Sequence, residues 1–252
     1  MTSTDLYLDL LKKSVTDTLH GREPDAQAGG SRFIVDFLNH YMKGRASSMV
    51  PLVRLDQLQS CIEDVLRRGV PGDLLEAGVW RGGATIFMRG VLKAHGANDR
   101  LVWAADSFEG LPEPDAARFP KEAAAHHGPV MREAFGNLAA GLEVVKANFA
   151  RYGLLDAQVR FLPGWFKDTL PSAPIDRLAV LRLDADYHDS TRDCLVHLYD
   201  KLSVGGYLIV DDYGESEWTY CRAAVDGFRA ERGITDPMVQ VDRSCWYWRR
   251  GG

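Results

Sequence analysis

The sequence contains few cysteines, no charged-then-apolar segment at its N-terminus and no long apolar run. Its four cysteines are widely spaced and form no CxxC pair, so we interpret them as reduced thiols. Because no charged-then-apolar segment opens the sequence, we expect no signal peptide. No apolar run approaches the ~20 residues that a membrane-spanning helix needs. We therefore expect a cytoplasmic protein that does not cross a bilayer.

A block of basic residues is also missing from both halves of the chain, which has a formal net charge of -5. This argues against a nucleic acid or an anionic membrane as partner and makes a small molecule the default substrate. With 252 residues, 46% of them hydrophobic and 26% charged, the chain is long enough for one large core. We expect an N-terminal helical arm and lid over residues 1–50 and a main domain over residues 51–252.

Apolar strand candidates alternate with helical patterns along most of the main domain. In chain order the strand candidates are LLEAGV, LVWAAD, VRFLP, RLAVLRLD and YLIVDD, and one intervening helix is predicted near 132–151. This alternation predicts parallel pairing with right-handed crossovers. The closing pair, PMVQVD and CWYWRR, has no helix between its members and predicts an antiparallel edge hairpin. The fold class is therefore α/β, a Rossmann-like doubly wound sheet that is mostly parallel.

Two strand candidates end in carboxylates, in LRLDADYHDST at 181–191 and YLIVDDYG at 207–214. Asp184, Asp186, Asp211 and Asp212 should therefore emerge together where two parallel strands stop. Buried like charges repel by about 4 kcal/mol per pair at ~4 Å with an effective dielectric near 20. Something positive must lie among them, and Mg²⁺ is the economical choice because it prefers oxygen ligands and leaves positions open for substrate oxygens.

A glycine-containing loop follows the first strand candidate, with Glu76 and Gly78 at its start. Its spacing is not the GxGxxG fingerprint that cradles a pyrophosphate. Asp106 ends the second strand candidate, near the position where an acidic residue accepts the hydroxyls of a ribose. Glycines and a ribose acid without a phosphate clamp indicate an adenosine cofactor that lacks phosphates, which is S-adenosylmethionine.

At these residues the chain resembles the macrocin O-methyltransferase family of TylF type. The matching blocks are GVPGDLLEAGVWRGG, ADSFEGLPEP, NFARYGLLDAQVRFLPGWFKDTLP, LRLDADYHDST and LIVDDYG, and the resemblance runs from about Ser47 to Arg249. The resemblance implies a class I methyltransferase fold, S-adenosylmethionine as methyl donor and Mg²⁺ held by three carboxylates. It also implies a lid from the N-terminal region and, as acceptor, a hydroxyl of a deoxysugar on an antibiotic such as a macrolide.

Carried over position by position, the resemblance assigns a role to each candidate site residue. The metal ligands are Asp184, Asp211 and Asp212. The cofactor-binding residues are Ser48, Met49, Glu76, Gly78, Asp106, Ser107, Gly164 and Trp165, although Trp165 can equally be a core residue. The family usually has DGD where this chain has Asp184-Ala185-Asp186, and Tyr187 stands where related catechol-type enzymes place a lysine base. A carboxylate must then act as base.

Methyl transfer to a sugar hydroxyl requires that its proton be removed, and a carboxylate is a weak base for an alcohol unless a metal makes the alcohol more acidic. Asp184 and Asp186 are both candidates for this base, and His188 is a third. The alternatives to a sugar methyltransferase are transfer to a catechol-like or other non-sugar hydroxyl, a metal-dependent hydrolase, and a catalytically silent binding protein.

The sequence does not identify the acceptor. The acceptor depends on the variable regions 21–46 and 109–135, where the chain is polar and the family pattern is weak. The family precedent and the amphipathic N-terminal arm favour a homo-oligomer, either a dimer or a larger ring.

Overall fold

The computed structural model describes residues 1–21, 35–214 and 219–252. The α-helices are α1 (Ser3–Val15), α2 (Leu52–Arg67), α3 (Gly83–Ala94), α4 (Pro120–His127), α5 (Leu142–Arg151), α6 (Phe166–Thr169), α7 (His188–Leu198) and α8 (Thr219–Glu231). The strands are β1 (Asp73–Ala77), β2 (Val102–Asp106), β3 (Val159–Pro163), β4 (Leu178–Leu183), β5 (Leu202–Val210), β6 (Val239–Gln240) and β7 (Trp246–Arg249). Short π or 3₁₀ turns lie at Leu38–Met42, Val130–Ala134, Gly136–Leu138, Leu170–Ser172 and Tyr199–Lys201.

Within these described residues the strands form one sheet in the order β3-β2-β1-β4-β5-β7-β6. Strands β1 to β5 are parallel, and β7 pairs antiparallel with both β5 and β6. The predicted parallel strands and the closing hairpin are confirmed. The order reverses between β1 and β4, and ligands bind beyond the carboxyl ends of the strands at such a switch point.

Helices cover both faces of the sheet, and alternate strand residues enter two separate cores. In β1, Leu74 belongs to the core shared with α1, α2 and α3, whereas Leu75 belongs to the core shared with α7 and α8. This alternation is the period-two geometry of a strand buried on both sides. Helix α1 contributes Leu8, Leu11 and Val15 to the first core. No helix of the described ranges is long and apolar enough to cross a membrane.

The helix predicted near 132–151 is wrong over its first part, because α5 begins only at Leu142. Asn137 and Leu138 have φ of 50° and 58°, in the left-handed region that interrupts a helix. The carbonyl of Asn137 accepts a hydrogen bond from the amide of Leu111 at 2.9 Å. A tertiary contact with the loop after β2 therefore holds this turn against the local helical preference.

The division of the chain at residue 50 stays a prediction. Part of the predicted arm, residues 22–34, lies outside the described residues. The remainder, α1, packs directly on α3, since a side chain at Gly90 would come within 2.2 Å of Leu11. The small residue at this position lets the two helices approach each other closely.

Candidate functional site

A cavity of about 1370 Å³ opens at the carboxyl ends of the parallel strands. It exceeds the ~300–1,000 Å³ of an ordinary small-molecule pocket, so there is room for two substrates. The structure brings nearly all predicted site residues to its wall: Ser48, Met49, Glu76, Gly78, Asp106, Ser107, Trp165, Asp184, Asp186, Asp211 and Asp212. Gly164 follows β3, and its amide donates a hydrogen bond to the carbonyl of Asp106 at 2.9 Å, but Gly164 is not one of the residues that line the cavity.

Three carboxylates meet at the tips of β4 and β5. One oxygen from each of Asp184, Asp186 and Asp212 lies within 4.8 Å of the other two. Asp186 reaches the group through a left-handed backbone with φ of 55°, a conformation that aspartate tolerates better than most residues. Burial, together with the neighbouring carboxylates, raises the pKa of Asp184 to about 6 and the pKa values of Asp186 and Asp212 well above their ordinary range.

Two arginines, the buried Arg182 and the half-buried Arg54, stand beside this group, and neither was predicted from the sequence. Arg182, within β4, contacts Glu76, Asp184 at 3.0 Å and Asp211 at 2.5 Å. Arg54, from α2, contacts Asp211 at 2.5 Å. Burial alone would raise the pKa of Asp211, but the two guanidinium groups outweigh burial and hold this pKa below its usual value.

The two arginines change the interpretation of the four aspartates at the ends of β4 and β5. The prediction that something positive lies among the carboxylates is met in part by the protein itself. Asp211 touches both arginines, whereas within the described residues no basic side chain forms a salt bridge with Asp186. Arg182 could have been noticed as a charge inside an apolar strand, but Arg54 carries no local signal, because it lies 157 residues from its partner.

Asp106, the predicted ribose acid, organises the loop that follows β1. Its Oδ2 accepts hydrogen bonds from the amides of Val79 at 2.7 Å and Trp80 at 3.3 Å, and its Oδ1 accepts from the amide of Phe108 at 2.7 Å. Burial raises the pKa of Asp106, although these backbone bonds oppose the shift. The carboxylate therefore fixes two loops at the cavity wall, and its contact with a ribose stays a prediction.

Glu76 and Gly78, at the end of β1, have structural roles that the sequence did not reveal. Glu76 is buried between Arg182 and the hydroxyl of Thr85, and burial raises its pKa to about 7. Gly78 has φ of 86°, and a side chain there would come within 1.8 Å of the carbonyl oxygen of Asp184. Glycine is thus required by the close approach of two strand ends, whatever ligand binds next to it.

Ser48 and Met49 lie where the chain passes from α1 to α2 at the edge of the cavity. The amide of Ser48 donates to the carbonyl of Val15 at 2.9 Å, and the amide of Gly83, which opens α3, donates to the carbonyl of Ser47 at 2.8 Å. The segment is therefore tied to the helix that follows the glycine-containing loop. The lid over the cavity stays a prediction.

Helix α4 and the residue before it, Phe119, also line the cavity. The ring of Phe119 stacks on that of His188 at 4.4 Å between centroids, and Glu122 accepts a hydrogen bond from the amide of His188 at 2.9 Å. His126 lies 3.0 Å from the hydroxyl of Tyr187. These contacts bind α4 to the turn that carries Asp186. They also give His188 a packing role, whereas sequence reasoning kept it as a candidate base.

Comparisons with known proteins agree with this geometry. The family model described as Macrocin-O-methyltransferase (TylF) matches residues 40–250. The chain is 50% identical to the 8-demethyl-8-(2,3-dimethoxy-alpha-L-rhamnosyl)-tetracenomycin-C 4'-O-methyltransferase of Streptomyces olivaceus, over 97% of this chain and 92% of that protein. It is 46% identical to the mycinamicin III 3''-O-methyltransferase of Micromonospora griseorubida, over 99% and 98% of the two chains.

Solved structures give the same result. The O-methyltransferase NovP superposes with a TM-score of 0.86 at 45% identity, covering 99% of this chain and 100% of that one. The calicheamicin methyltransferase CalS11, at 18% identity and a TM-score of 0.61, covers 98% of this chain and 93% of that one and shows the shared fold. The predicted class I methyltransferase fold is confirmed. The chain belongs to the TylF macrocin-O-methyltransferase family.

Proposed function

We propose that this O-methyltransferase moves a methyl group from S-adenosylmethionine to a sugar hydroxyl of a glycosylated natural product, with Mg²⁺ bound at the carboxylate cluster. The relatives named above act on sugars of antibiotics, which supports this acceptor class. Family membership also favours methyl transfer over the hydrolase alternative. The observation that carries the metal proposal is the oxygen-only group at the tips of β4 and β5.

The three carboxylates fit a hard divalent cation. Oxygen ligands of one Mg²⁺ lie 2.0–2.1 Å from the ion and therefore at most about 4.2 Å from one another. The oxygens of Asp184, Asp186 and Asp212 already lie within 4.8 Å, so small side-chain movements suffice to bind an ion. Asp184 and Asp212 belong both to this group and to the set implied by the resemblance. Asp211 stays a predicted ligand, and its oxygens already accept two guanidinium contacts.

The remaining wall suits the methyl donor. Asp106 ends β2 and Ser107 follows it, and Trp165 follows β3, so their side chains line the half of the cavity next to the glycine-containing loop. A carboxylate that is held by backbone amides keeps its position while its remaining lone pairs accept further hydrogen bonds. We assign this half to the adenosine and the half between α4 and the carboxylates to the sugar.

Asp186 is the better candidate for the base. Arg182 donates a hydrogen bond to Asp184 at 3.0 Å and thereby opposes the rise in the pKa of Asp184. Burial and like charges raise the pKa of Asp186, and within the described residues no salt bridge opposes this rise. When bound, Mg²⁺ would supply the Lewis acidity that makes an alcohol easier to deprotonate. Asp186 accepts the hydroxyl proton while the walls of the cavity hold the acceptor oxygen in line with the methyl group.

Methyl transfer from labelled S-adenosylmethionine to a panel of deoxysugar glycosides and their free aglycones tests the proposal. We expect labelled product only with glycosides, its loss in EDTA and its recovery when Mg²⁺ is added in excess. Product that forms equally in EDTA would remove the metal from the reaction. Product formed with aglycones alone would show that the acceptor is a non-sugar hydroxyl. Binding of the cofactor without any product would favour a catalytically silent binding protein.

A further inference from the structure

We infer that Glu113, His126 and His127 form a second metal site, for a transition-metal ion of the Zn²⁺ class, on the acceptor side of the cavity. Glu113 lies in the loop after β2 and on the cavity wall, and the two histidines end α4. The three residues are separate from the carboxylate cluster at the tips of β4 and β5. The site goes beyond the proposed methyl transfer, and metal binding to it needs neither methyl donor nor acceptor.

The distances between the ligand atoms suit one small ion. The Nε2 of His127 lies 2.8 Å from one oxygen of Glu113, and the Nε2 of His126 lies 3.5 Å from the other. One ligand atom from each of the three residues lies within 4.8 Å of the other two. Ligands at 2.0–2.2 Å from a tetrahedral zinc are about 3.4 Å apart. The group therefore needs little rearrangement to bind such an ion.

A second observation concerns the other nitrogen of His126. Its Nδ1 lies 3.0 Å from the hydroxyl of Tyr187, and the imidazole is 7% exposed. A metal-binding histidine almost always has its second nitrogen held by an outer hydrogen-bond partner, which fixes the tautomer and the orientation of the ring. Here that partner is present, and it leaves Nε2 directed towards Glu113. An ordinary surface pair of histidine and glutamate does not need this buried support.

The donor atoms distinguish this site from the carboxylate cluster. Two imidazole nitrogens and one carboxylate favour zinc, cobalt, nickel or copper, whereas an oxygen-only group favours Mg²⁺. Three protein ligands also leave a fourth position of a tetrahedral ion open to water or to an acceptor oxygen. The two sites should therefore bind different ions at the same time.

The position of the site gives it a consequence for the acceptor side. Tyr187, which supports His126, follows Asp186 directly in the chain. A metal ion bound by both histidines and Glu113 would fix the loop after β2, the end of α4 and, through Tyr187, the turn that carries Asp186. Occupancy would thus hold the wall of the acceptor pocket in one conformation.

The test is binding of Co²⁺ and Zn²⁺ to the full-length protein in excess Mg²⁺, by visible absorption and by titration calorimetry. We expect one equivalent of Co²⁺ to bind with the intense absorption of a tetrahedral ion and to be displaced by Zn²⁺. His127→Ala and Glu113→Ala should each weaken binding by at least the ~10–100-fold that loss of an outer-shell partner costs. His126 is left intact in these variants because it also contacts Tyr187.

Two controls make the outcome decisive. His95 and Glu63 form an exposed pair at 3.1 Å, so His95→Ala removes a comparable histidine and should leave binding unchanged. Asp212→Asn should also leave Co²⁺ and Zn²⁺ binding unchanged, because it alters only the carboxylate cluster. Absence of binding in excess Mg²⁺, or binding that His127→Ala leaves intact and Asp212→Asn abolishes, would overturn the inference.

Discussion

Acidic side chains at the ends of neighbouring strands are stabilised in two different ways in this molecule. Glu76 and Asp211, the arginine-bound carboxylates, contact guanidinium groups of the protein. Asp186 and Asp212, the metal-site carboxylates, converge with one oxygen of Asp184 on a point that a cation can occupy. Asp184 stands between the two sets. Acidic residues in a motif therefore do not all have the same role, and the position of basic side chains decides between them.

The largest difference between the two sets is expected in turnover. Asp186→Asn removes the proposed base but keeps the shape of the side chain, and asparagine tolerates the left-handed backbone at this position. A general base contributes about 10²–10⁴-fold, so we expect kcat to fall by that factor while S-adenosylmethionine binding is retained. Single-turnover kinetics and calorimetry measure the two quantities separately. A variant with near-normal kcat would exclude Asp186 as the base.

Stability should change in opposite directions in the two sets. Asp211→Asn removes the carboxylate that Arg54 and Arg182 share. Arg54 keeps its contact with Asp242, and Arg182 keeps those with Glu76 and Asp184, so we expect a loss below the about 3–5 kcal/mol of a buried charge that loses its partner. Asp186→Asn removes a buried like charge, so in EDTA its free energy of unfolding should equal or exceed that of the unmodified protein. Denaturant unfolding of both variants in EDTA provides the measurement. Equal losses would remove the distinction between the sets.

Mg²⁺ itself should stabilise the unmodified protein. Binding to the folded state alone contributes about 2.7 kcal/mol at a concentration of 100 times Kd. We expect Tm to rise with Mg²⁺ in the unmodified protein and to rise less in Asp186→Asn. A Tm that does not depend on Mg²⁺ in either protein would show that the carboxylates do not bind the ion.

The smallest effect concerns Glu122, a buried carboxylate that accepts a backbone hydrogen bond from His188. Burial raises the pKa of Glu122 to about 7 from 4.5, so the folded state binds its proton more tightly than the unfolded state. The resulting stability is fully present below about pH 4.5 and is lost as the pH rises through about 7. Glu122→Gln does not titrate, so its stability lacks this dependence on pH. Between pH 4.5 and pH 7 the free energy of unfolding of the unmodified protein should fall by about 1 kcal/mol relative to that of the variant, a figure reduced for screening by solvent. Denaturant unfolding across this pH range measures the difference, and parallel pH profiles of the two proteins would contradict it.

The sequence predicted the parts of the fold that depend on local pattern. The apolar runs around Leu75, Leu181 and Leu208 alternate with helical spacing, and this pattern predicts a parallel sheet in any context. The acidic residues at the strand ends follow from the same pattern, because the carboxyl ends of parallel strands lie on one edge of the sheet.

What the sequence could not provide are contacts between residues that are distant in the chain. Arg54 meets Asp211 only after α2 packs beside β5, so no spacing rule indicates that this carboxylate is neutralised within the protein. The turn at Asn137 depends on Leu111, and a local helix preference could not exclude it. Gly78 was predicted as a cofactor-binding residue, and this role stays a prediction. Its close approach to the backbone of Asp184 joins residues distant in the chain, so no local pattern indicated it.

The most direct test of the account is the position of a divalent ion in a crystal grown with S-adenosylhomocysteine and Mn²⁺, which replaces Mg²⁺ and gives an anomalous signal. The account predicts one strong anomalous peak bound by Asp184 and Asp212, with Asp186 beside it and Arg54 and Arg182 still in contact with Asp211. A map without a peak at Asp184 and Asp212, in a crystal where these side chains are well ordered, would contradict it.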